Sequence, residues 1–307
     1  MDKHSKSTKE NEIKVRKFAA VDIGSNAIRM LIANVIEQKG KPTQFNKSEL
    51  VRVPIRLGQD AFTVGEISEE NIERMVDAIK AYALLMKVYK VEKYMVCATS
   101  AMREAYNKDE VVKYVKKKTG IKINVIDGKK EAKIIAATHL HDFIKGEQAY
   151  LYIDVGGGST EFTLFANGEV INSKSFKAGT VRFLNNQVTE VVWDEMRKWV
   201  KTHTDAYQEV TLIGSGGNIN KLFKLSGKPQ TTPLTLSYLQ QQYNMLSTMT
   251  YQERVFDLGL NEDRADVIIP ATRIYLEAMK WSKAKQLYVP KIGLADGIVK
   301  AMHNGTL

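Results

Sequence analysis

The sequence predicts an α/β protein made of two similar domains that face each other across a cleft. Short apolar segments typical of buried strands alternate with segments of helical periodicity, which is the pattern of an α/β fold. Two segments with the same order of features lie 132 residues apart, and each opens one half of the chain. The 307 residues, 44% of them hydrophobic, suffice for one large core or two ordinary ones.

Composition excludes several classes of protein. No apolar run approaches the ~20 residues of a membrane span, and the first seventeen residues are too polar for a secretory signal. We therefore expect a soluble cytoplasmic protein, neither disordered nor fibrous. The single cysteine, Cys97, excludes an internal disulfide and a multi-cysteine metal site. Forty-five Lys and Arg against 35 Asp and Glu give a net charge of +10, which favours polyanionic ligands without selecting among them.

The elements are expected in the following order. A polar tail covers residues 1–17, and strands cover 19–22 and 28–36, followed by a looser basic stretch. Ser68 opens a helix, with acids behind it and one apolar face at three-to-four-residue spacing. That face comprises Ile72, Met75, Val76, Ile79, Ala83 and Met86. Further strands are predicted at 94–98, 121–126, 150–154 and 210–213, separated by helices.

An internal repeat supports the two-domain prediction. AVDIGSNAIRMLIANV at 20–35 aligns with YIDVGGGSTEFTLFANG at 152–168, so that Asp22 matches Asp154 and Arg29 matches Glu161. Two unrelated β-hairpins with glycine turns could also produce such an alignment. The repeat nevertheless favours two similar domains, because each copy opens a half that continues with strands and helices.

The glycine run at 156–159 has the features of a phosphate-binding turn. It follows a predicted buried strand, and consecutive N–H groups in such a turn form a concave anion site. A plain tight turn would read the same way. Asp154 and Glu161 flank the run, and their carboxylates would repel an anion unless a divalent cation lay between them. Magnesium is therefore implied.

Three further features are candidates for the same site. The turn LIGSGGN at 212–218 follows a strand and leads into a helix, whose N-terminus suits a phosphate. Arg103, in ATSAMREA, would be a good bidentate phosphate ligand. Glu131 opens a helix in DGKKEA. Each also has a simpler interpretation. The turn could merely connect a strand to a helix, Arg103 could be a surface residue, and Glu131 could be an acid that stabilises the start of its helix.

Taken together, these motifs resemble the exopolyphosphatase and guanosine pentaphosphate phosphatase (Ppx/GppA) family. The motifs that carry the resemblance are AVDIGSNAIRMLI, ATSAMREA, DGKKEAKII, YIDVGGGSTEF, LIGSGGN, LNEDRADVIIP and GLADGIV, in the family's order. The resemblance implies two actin-like (ribonuclease H-like) domains flanking a cleft. We expect domain I at 18–126 and domain II at 127–307, with a last helix near 293–303 that packs back on domain I.

The resemblance also implies roles for individual residues. Glu131, Asp154 and Glu161 would be catalytic, with Glu131 as the general base, and Asp154, Glu161 and Asp22 would bind Mg²⁺. Phosphate would be held by Ser25, Asn26, Arg29, Arg103, Gly156, Gly157, Gly158, Ser159, Gly216 and Arg264. The chain departs from the family's common pattern at Asp127, Lys129, Lys130, Ala271 and Ala295. Lys129 and Lys130 replace acids common in relatives, and we expect them at the cleft mouth, where they would favour long polyanions.

The expected reaction is therefore release of orthophosphate from the ends of inorganic polyphosphate. Hydrolysis of guanosine pentaphosphate (pppGpp) at its 5′ end is the alternative. A kinase of the same superfamily and a non-catalytic polyphosphate or alarmone sensor are further readings. We expect no membrane partner and no specific nucleic acid, and a homodimer is compatible with the sequence.

Overall fold

The computed structural model describes residues 13–136, Thr138 and residues 148–307, which form two sheets with helices around them. The first sheet contains β1 Ile13–Ile23, β2 Ile28–Gln38, β3 Gln44–Val53, β4 Lys93–Ala98 and β5 Ile123–Val125. The second contains β6 Ala149–Val155, β7 Thr160–Ala166, β8 Glu169–Phe176, β9 Val210–Ser215, β10 Leu234–Thr235 and β11 Gln286–Tyr288.

Helices connect and cover these strands. Those before β6 in the sequence are α1 Leu57–Thr63, α2 Glu69–Val88, α3 Ser100–Glu104, α4 Lys108–Thr119 and α5 Gly128–Ala136, of which α5 contacts β7 and β8 of the second sheet. Those that follow β8 are α6 Thr180–Leu184, α7 Glu190–Thr204, α8 Gly217–Leu225, α9 Leu236–Thr248, α10 Tyr251–Phe256, α11 Glu262–Ala265, α12 Ile268–Ser282 and α13 Leu294–Asn304. Within the described ranges, every helix is too short or too polar to cross a lipid bilayer.

Five strands of the second sheet repeat the topology of the first, and β10 is an additional antiparallel edge strand. Strand order is β3-β2-β1-β4-β5 in the first and β10-β11-β9-β6-β7-β8 in the second. In each, the opening hairpin is antiparallel, and its first strand pairs in parallel with a strand that comes later, β4 or β9. Register places Asp22 opposite Arg29 and Asp154 opposite Glu161. The internal repeat is therefore confirmed as a structural repeat, and the α/β class with it.

Two elements of the first sheet and its surroundings differ from the sequence expectation. β1 begins at Ile13, six residues before the expected strand start at Ala19, because residues 13–17 continue the antiparallel ladder with β2. Three of these five residues are basic and the other two, Ile13 and Val15, are exposed, so the segment lacks the pattern of a buried strand. The stretch expected to be looser contains β3 and α1 instead. β3 is a mostly exposed edge strand, so it lacks the apolar pattern by which a buried strand is recognised.

The predicted amphipathic helix is α2. Ser68 caps it, accepting a hydrogen bond from the backbone N–H of Asn71 at 3.3 Å. Met75, Val76 and Ile79 of the predicted face are buried against the first sheet. The four later predicted strands are also confirmed, as β4, β5, β6 and β9.

An apolar core lies between the two sheets and joins them. It contains Phe18 and Leu31 from the first sheet, Tyr152 from the second and Ile298 from α13. Helix α13 packs against β1, β2 and β4 and against α5. The last helix thus lies on the first sheet although it follows the second in sequence, and it also contacts the helix that carries Glu131.

Candidate functional site

A cavity of about 820 Å³ lies between the two sheets. It is lined by residues of both halves, and most residues predicted from the sequence are among them. These are Asp22, Ser25, Asn26, Arg29, Glu131, Asp154, Gly156, Gly157, Ser159, Glu161, Gly216 and Arg264. The cleft therefore brings together side chains that are far apart in the sequence, such as Asp22 and Arg264.

Two predicted phosphate ligands do not line the cavity among the described residues. Arg103 lies behind Glu131, with its Nη1 3.8 Å from Glu131 Oε2, and donates to the backbone oxygen of Ile126 at 2.9 Å. Gly158 is buried, and an added Cβ would come within 2.3 Å of the Phe62 ring and 2.5 Å of Ser100 Oγ, so the position admits only glycine. The contact of its backbone with phosphate stays a prediction.

Lys129 and Lys130 are also placed differently from the sequence expectation. Both are exposed at the start of α5, and neither lines the cavity. Helix geometry explains the difference, because Glu131 turns inward while residues one and two positions earlier project from other faces of the helix.

Four carboxylates form the acidic cluster of the cavity: Asp22, Glu131, Asp154 and Glu161. Asp22 and Asp154 are each the second-last residue of their strands, β1 and β6. Glu161 lies near the start of β7, and Glu131 lies in the first turn of α5. Glu131 is 8% exposed and Glu161 only 3%. Such a concentration of buried negative charge is costly in a fold unless a cation or protons offset it.

Hydroxyl groups fix the orientation of two of these acids. Ser159 and Ser175 donate hydrogen bonds to Glu161 Oε1 at 2.6 and 2.8 Å. Ser215 donates to Asp154 Oδ2 at 3.4 Å and to the backbone oxygen of Ile292 at 2.9 Å. Glu131 Oε2, in contrast, is buried without a hydrogen-bond partner among the described residues. Arg103 Nη1, at 3.8 Å, pairs with it electrostatically but is too distant for a hydrogen bond.

The acids raise one another's proton affinity. Burial raises the pKa of Glu131 well above its ordinary value, and the negative charges of Glu161 and Asp154 raise it further. Burial, then the charge of Glu161, raises the pKa of Asp154 to about 7, against the opposing effect of Arg29. Burial also raises the pKa values of Asp22 and Glu161. Perturbations of this size, in a cleft, are typical of functional sites.

The glycine turns of the two halves touch. Gly24 N–H donates to Ala27 O at 3.1 Å in one turn, and Gly156 N–H donates to Ser159 O at 2.9 Å in the other. A Cβ at Gly157 would lie 2.9 Å from Ser25 Cβ, so only glycine allows the approach without displacement. The two turns therefore form one continuous edge of the cavity beside the acidic cluster.

Three arginines gather on another side of the cavity: Arg29, Arg52 and Arg264. Burial, then the positive charges of Arg52 and Arg29, lowers the pKa of Arg264 to about 10, so it remains a cation near neutral pH. Arg52 donates to both carboxylate oxygens of Asp263, which joins β3 to α11 across the cleft. Guanidinium groups crowded in this way are suited to an anion.

Sequence reasoning missed Arg52 and its partner Asp263. The signal that could have found Arg52 is register: it lies opposite Arg29 in the ladder of β2 and β3, and Arg29 lies opposite Asp22. Without recognition of the exposed edge strand, that row could not be assembled from the sequence.

The acidic cluster fits a divalent cation by its donor type. Carboxylate oxygens are the ligands that Mg²⁺ prefers, and Mg²⁺ is usually bound by one or two of them plus substrate phosphates. The buried Oε2 of Glu131, which has no hydrogen-bond partner among the described residues, and the raised pKa values of Glu131 and Asp154 fit a site that a cation would stabilise. Within the part of the chain that the structure describes, no three His, Cys, Asp or Glu side chains are already arranged to enclose a metal ion.

Comparison with known proteins gives consistent matches over most of the chain. The model of the Ppx/GppA phosphatase family matches residues 48–304. The bifunctional 3-dehydroquinate synthase/phosphatase of Fusobacterium nucleatum is 32% identical over 292 residues, covering 86% of this chain and 43% of that protein. The guanosine-5'-triphosphate,3'-diphosphate pyrophosphatase of Photobacterium profundum is 26% identical over 301 residues, covering 93% of this chain and 59% of that protein.

Exopolyphosphatase 1 of Mycobacterium tuberculosis is 22% identical over 306 residues, covering 92% of this chain and 87% of that protein. The chain thus spans about half the length of the first two relatives and most of the third. Among solved structures, an exopolyphosphatase from Cytophaga hutchinsonii shares the fold, with a TM-score of 0.81 and 23% identity over 94% of this chain and 98% of that one. The family match covers well over half of the residues, and the chain belongs to the Ppx/GppA phosphatase family.

Proposed function

We propose that this protein is an exopolyphosphatase, which hydrolyses the terminal phosphoanhydride bond of inorganic polyphosphate and releases orthophosphate. The observation that carries the proposal is the buried, unpartnered Oε2 of Glu131 in a cavity that also holds three other carboxylates and a group of arginines. A general base and groups that neutralise phosphate are what hydrolysis of a phosphoanhydride requires. Membership of a phosphatase family and the name of the mycobacterial relative support the same reaction.

In this proposal Glu131 orients the attacking water and accepts its proton. Its raised pKa makes it a better proton acceptor than an exposed glutamate, provided that it is ionised when substrate binds. Arg103, 3.8 Å away, keeps part of that ionised form favourable. Arg103 is thus proposed as a positioning residue behind the base, and not as a direct phosphate ligand.

The terminal phosphates would be held at the edge of the cavity that the two turns form. Backbone N–H groups of the Gly156–Ser159 turn, with Ser25 and Asn26 from the other turn, would surround the end of the chain. Arg29 and Arg264 would neutralise its charge, and Gly216 allows close approach at the start of α8. Positioning and charge neutralisation account for most of the catalysis expected of such a site.

We further propose Mg²⁺ as the metal, bound by Asp154 and Glu161 with a contribution from Asp22. The family is one of generally metal-dependent phosphatases, and the donor set fits a hard divalent cation. When bound, the ion would neutralise charge that develops on the phosphate oxygens. The cation would also relieve the repulsion between carboxylates that raises the pKa of Asp154.

pppGpp is the second candidate substrate, because it also presents a terminal triphosphate. The pyrophosphatase of Photobacterium profundum, which this chain covers by 59%, favours it by its name. The cytoplasm is the proposed location, and a homodimer is a compatible assembly.

Steady-state release of orthophosphate tests the proposal. Long-chain polyphosphate and pppGpp are compared by kcat/KM, each with added Mg²⁺ and with excess chelator. We expect activity that requires Mg²⁺ and a higher kcat/KM for polyphosphate. A higher value for pppGpp would make the nucleotide the substrate, and full activity in chelator would exclude the metal role.

A further inference from the structure

The Gly156–Ser159 turn has all three of its glycine carbonyl groups engaged by the start of α6. The backbone N–H groups of Thr180 and Val181 donate to the first two of these carbonyl oxygens, at 3.0 and 2.8 Å. Arg182 continues the series with its side chain, whose Nε donates to Gly158 O at 2.8 Å. Three successive residues of α6 thus hold three successive carbonyl oxygens of the turn.

This arrangement decides which way the N–H groups of the turn face. In a planar trans peptide, the C=O group and the N–H group that follows it point in opposite directions. The N–H groups of Gly157, Gly158 and Ser159 therefore face away from α6. Within the described ranges none of the three has a hydrogen-bond acceptor, and Gly157 and Ser159 line the cavity. The turn thus keeps free donors for an anion.

Arg182 holds the last of the three carbonyl groups from a buried position. It is 9% exposed, and its guanidinium carbon lies 3.9 Å from the centre of the Phe62 ring. Its Nη2 donates to Glu104 Oε2 at 2.6 Å, which offsets the free-energy cost of burying the cation. Arg182 is not among the described residues that line the cavity, so it is placed to act on the turn and not on a phosphate.

A guanidinium group suits this position better than an ammonium group would. Its N–H donors are fixed in one plane, so that Nε and Nη2 serve two acceptors in set directions. Here one acceptor is the Gly158 carbonyl group and the other is the Glu104 carboxylate. The bond to Glu104 therefore fixes the direction in which Arg182 holds the turn.

Glu104 connects this contact with the proposed general base. It is the last residue of α3, which follows β4 of the first sheet, and it also pairs with Lys177 at 3.2 Å. The preceding residue, Arg103, approaches Glu131 Oε2 to 3.8 Å. The end of one short helix thus contacts both the residue that holds the turn and the residue proposed to activate water.

We propose that Arg182 is a positioning residue for the hydrolysis. Held by Glu104, it keeps the Gly158 carbonyl group on the side of α6, so that the N–H groups of the turn stay directed at the terminal phosphates. This inference rests on the proposed function, and it adds a residue that acts through the turn without touching the substrate. Because the turn holds the reacting end of the chain, the shortest substrates depend on Arg182 as much as long ones.

Arg182→Lys tests the inference, because lysine keeps the positive charge and loses the second donor direction. Arg16→Lys is the matched control: Arg16 lies 4.9 Å from the Phe18 ring and its Nε pairs with Glu92 at 3.0 Å, at the far end of β1 from the cavity. We expect Arg182→Lys to lower kcat/KM on tripolyphosphate about ten- to a hundredfold, since misplacement by ~1 Å can cost ~10²-fold. The control should resemble the wild type, and thermal melting confirms that both variants fold.

Selective ¹⁵N labelling of glycine observes the turn directly and needs no turnover. In a Glu131→Gln background, saturating tripolyphosphate should shift the N–H resonances of Gly157 and Gly158. Arg182→Lys should reduce these shifts, whereas a role in stability alone would leave them unchanged. Wild-type shifts together with wild-type kcat/KM in Arg182→Lys would overturn the inference. If the wild type releases no phosphate from any substrate, the proposed function fails, while the glycine resonances still report on Arg182.

Glu104→Ala and Glu104→Gln form a second test, which decides the matter if Arg182→Lys does not fold. The side chain of Glu104 is 23% exposed, so these changes leave the buried arginine in place. Alanine should lower kcat/KM in the same direction, and glutamine should recover most of the loss, because its amide oxygen can still accept from Arg182 Nη2. A fully active Glu104→Ala, or a glutamine variant no better than alanine, would overturn the role of this pair.

Discussion

At the level of single residues, Glu131 is distinguished by what it lacks. Within the described part of the chain its Oε2 is buried without a hydrogen-bond partner, whereas Glu161 and Asp154 accept hydrogen bonds from serine hydroxyls. A buried acceptor left unpaired costs free energy, which a group that arrives with the substrate would recover. In the proposed function that group is the attacking water.

Glu131→Gln should therefore lower kcat on polyphosphate by about 10²- to 10⁴-fold, because an amide keeps the shape but cannot accept the proton. Binding of polyphosphate should stay within a few-fold of the wild type. Glu169→Gln, at an exposed glutamate of β8, serves as the control. Phosphate release at the wild-type rate by Glu131→Gln would remove this residue from the mechanism.

Asp154 gives the metal-free protein a defined pH dependence. Its pKa is about 7 in the folded protein and about 3.9 when unfolded. Between these values the folded state binds the extra proton, so stability falls as pH rises towards 7 and stays low above it. Asp154→Asn removes the ionisable group and should stabilise the protein by a few kcal/mol more at pH 8 than at pH 5.

Urea unfolding at the two pH values, without metal, measures this difference, with the exposed Asp257→Asn as control. An equal effect of Asp154→Asn at pH 5 and pH 8 would show that burial does not shift the titration of this group.

Residue positions were predictable from the sequence where a motif ended a buried strand. Asp22, Asp154 and the glycine turn lie at the cavity because the ends of β1 and β6, the equivalent strands of the two sheets, hold them there. Lys129 and Lys130 were misplaced because sequence distance from Glu131 does not give the face of a helix. The lysines that do line the cavity, such as Lys224, belong to no local motif.

At the level of elements, the site depends on the contact between the two glycine turns. Gly157 has no room for a side chain, since a Cβ would lie 2.9 Å from Ser25 Cβ. Gly157→Ala should thus separate the turns by a fraction of an ångström and lower kcat/KM at least about tenfold, because misplacement of a substrate by ~1 Å can cost ~10²-fold.

Turnover of Gly157→Ala, alone and combined with Ser25→Gly, tests this contact. Ser25→Gly removes the clashing Cβ but also the hydroxyl that is proposed to contact phosphate, so the combination is compared with Ser25→Gly alone. Gly157→Ala should cost less in the Ser25→Gly background than in the wild type. If Gly157→Ala is fully active, or if its cost is the same in both backgrounds, then close approach of the turns is unnecessary.

The strands and helices themselves were predictable to the extent that they are buried. α2 shows one apolar face in the sequence, and the strands β4, β6 and β9 contain short apolar runs because β4 is half buried and the other two are buried on both faces. β3 does not, because an exposed edge strand needs no apolar alternation, and it carries Arg52 into the site. Arg52 was therefore missed because β3 was missed.

At the level of the whole molecule, helix α13 connects the end of the chain to the site. It packs on the first sheet and on α5, where a Cβ at Gly297 would lie 2.4 Å from the backbone oxygen of Ile134. Alanine in a helix interior ordinarily gains up to ~1 kcal/mol over glycine. Here the contact is with a backbone oxygen, which cannot move aside at low cost. We therefore expect the destabilisation from overpacking to exceed the gain from alanine.

Gly297→Ala should accordingly destabilise the protein by about 1–3 kcal/mol. Chemical denaturation measures the change, and Asn304→Ala, at the exposed end of the same helix, should stay within about 0.5 kcal/mol of the wild type. A stabilised Gly297→Ala would mean that α13 and α5 pack less tightly than the structure indicates.

The two-sheet architecture was predictable because the chain repeats its opening hairpin. The repeat fixes Asp22 and Asp154 at equivalent strand ends, and the sheet orders agree with it. The charged contact between β3 and α11, where Arg52 pairs with Asp263, was not predictable, since its partners are 211 residues apart and share no motif.

The central claim is that water is the acceptor of the terminal phosphoryl group when a polyphosphate chain binds in this cleft. Hydrolysis of long-chain polyphosphate in ¹⁸O-labelled water, with ADP present, tests it most directly. The account predicts orthophosphate that carries one solvent oxygen in each newly released molecule, chains that shorten from their ends, and no ATP. Transfer of phosphate to ADP, or early fragments of intermediate length, would contradict it.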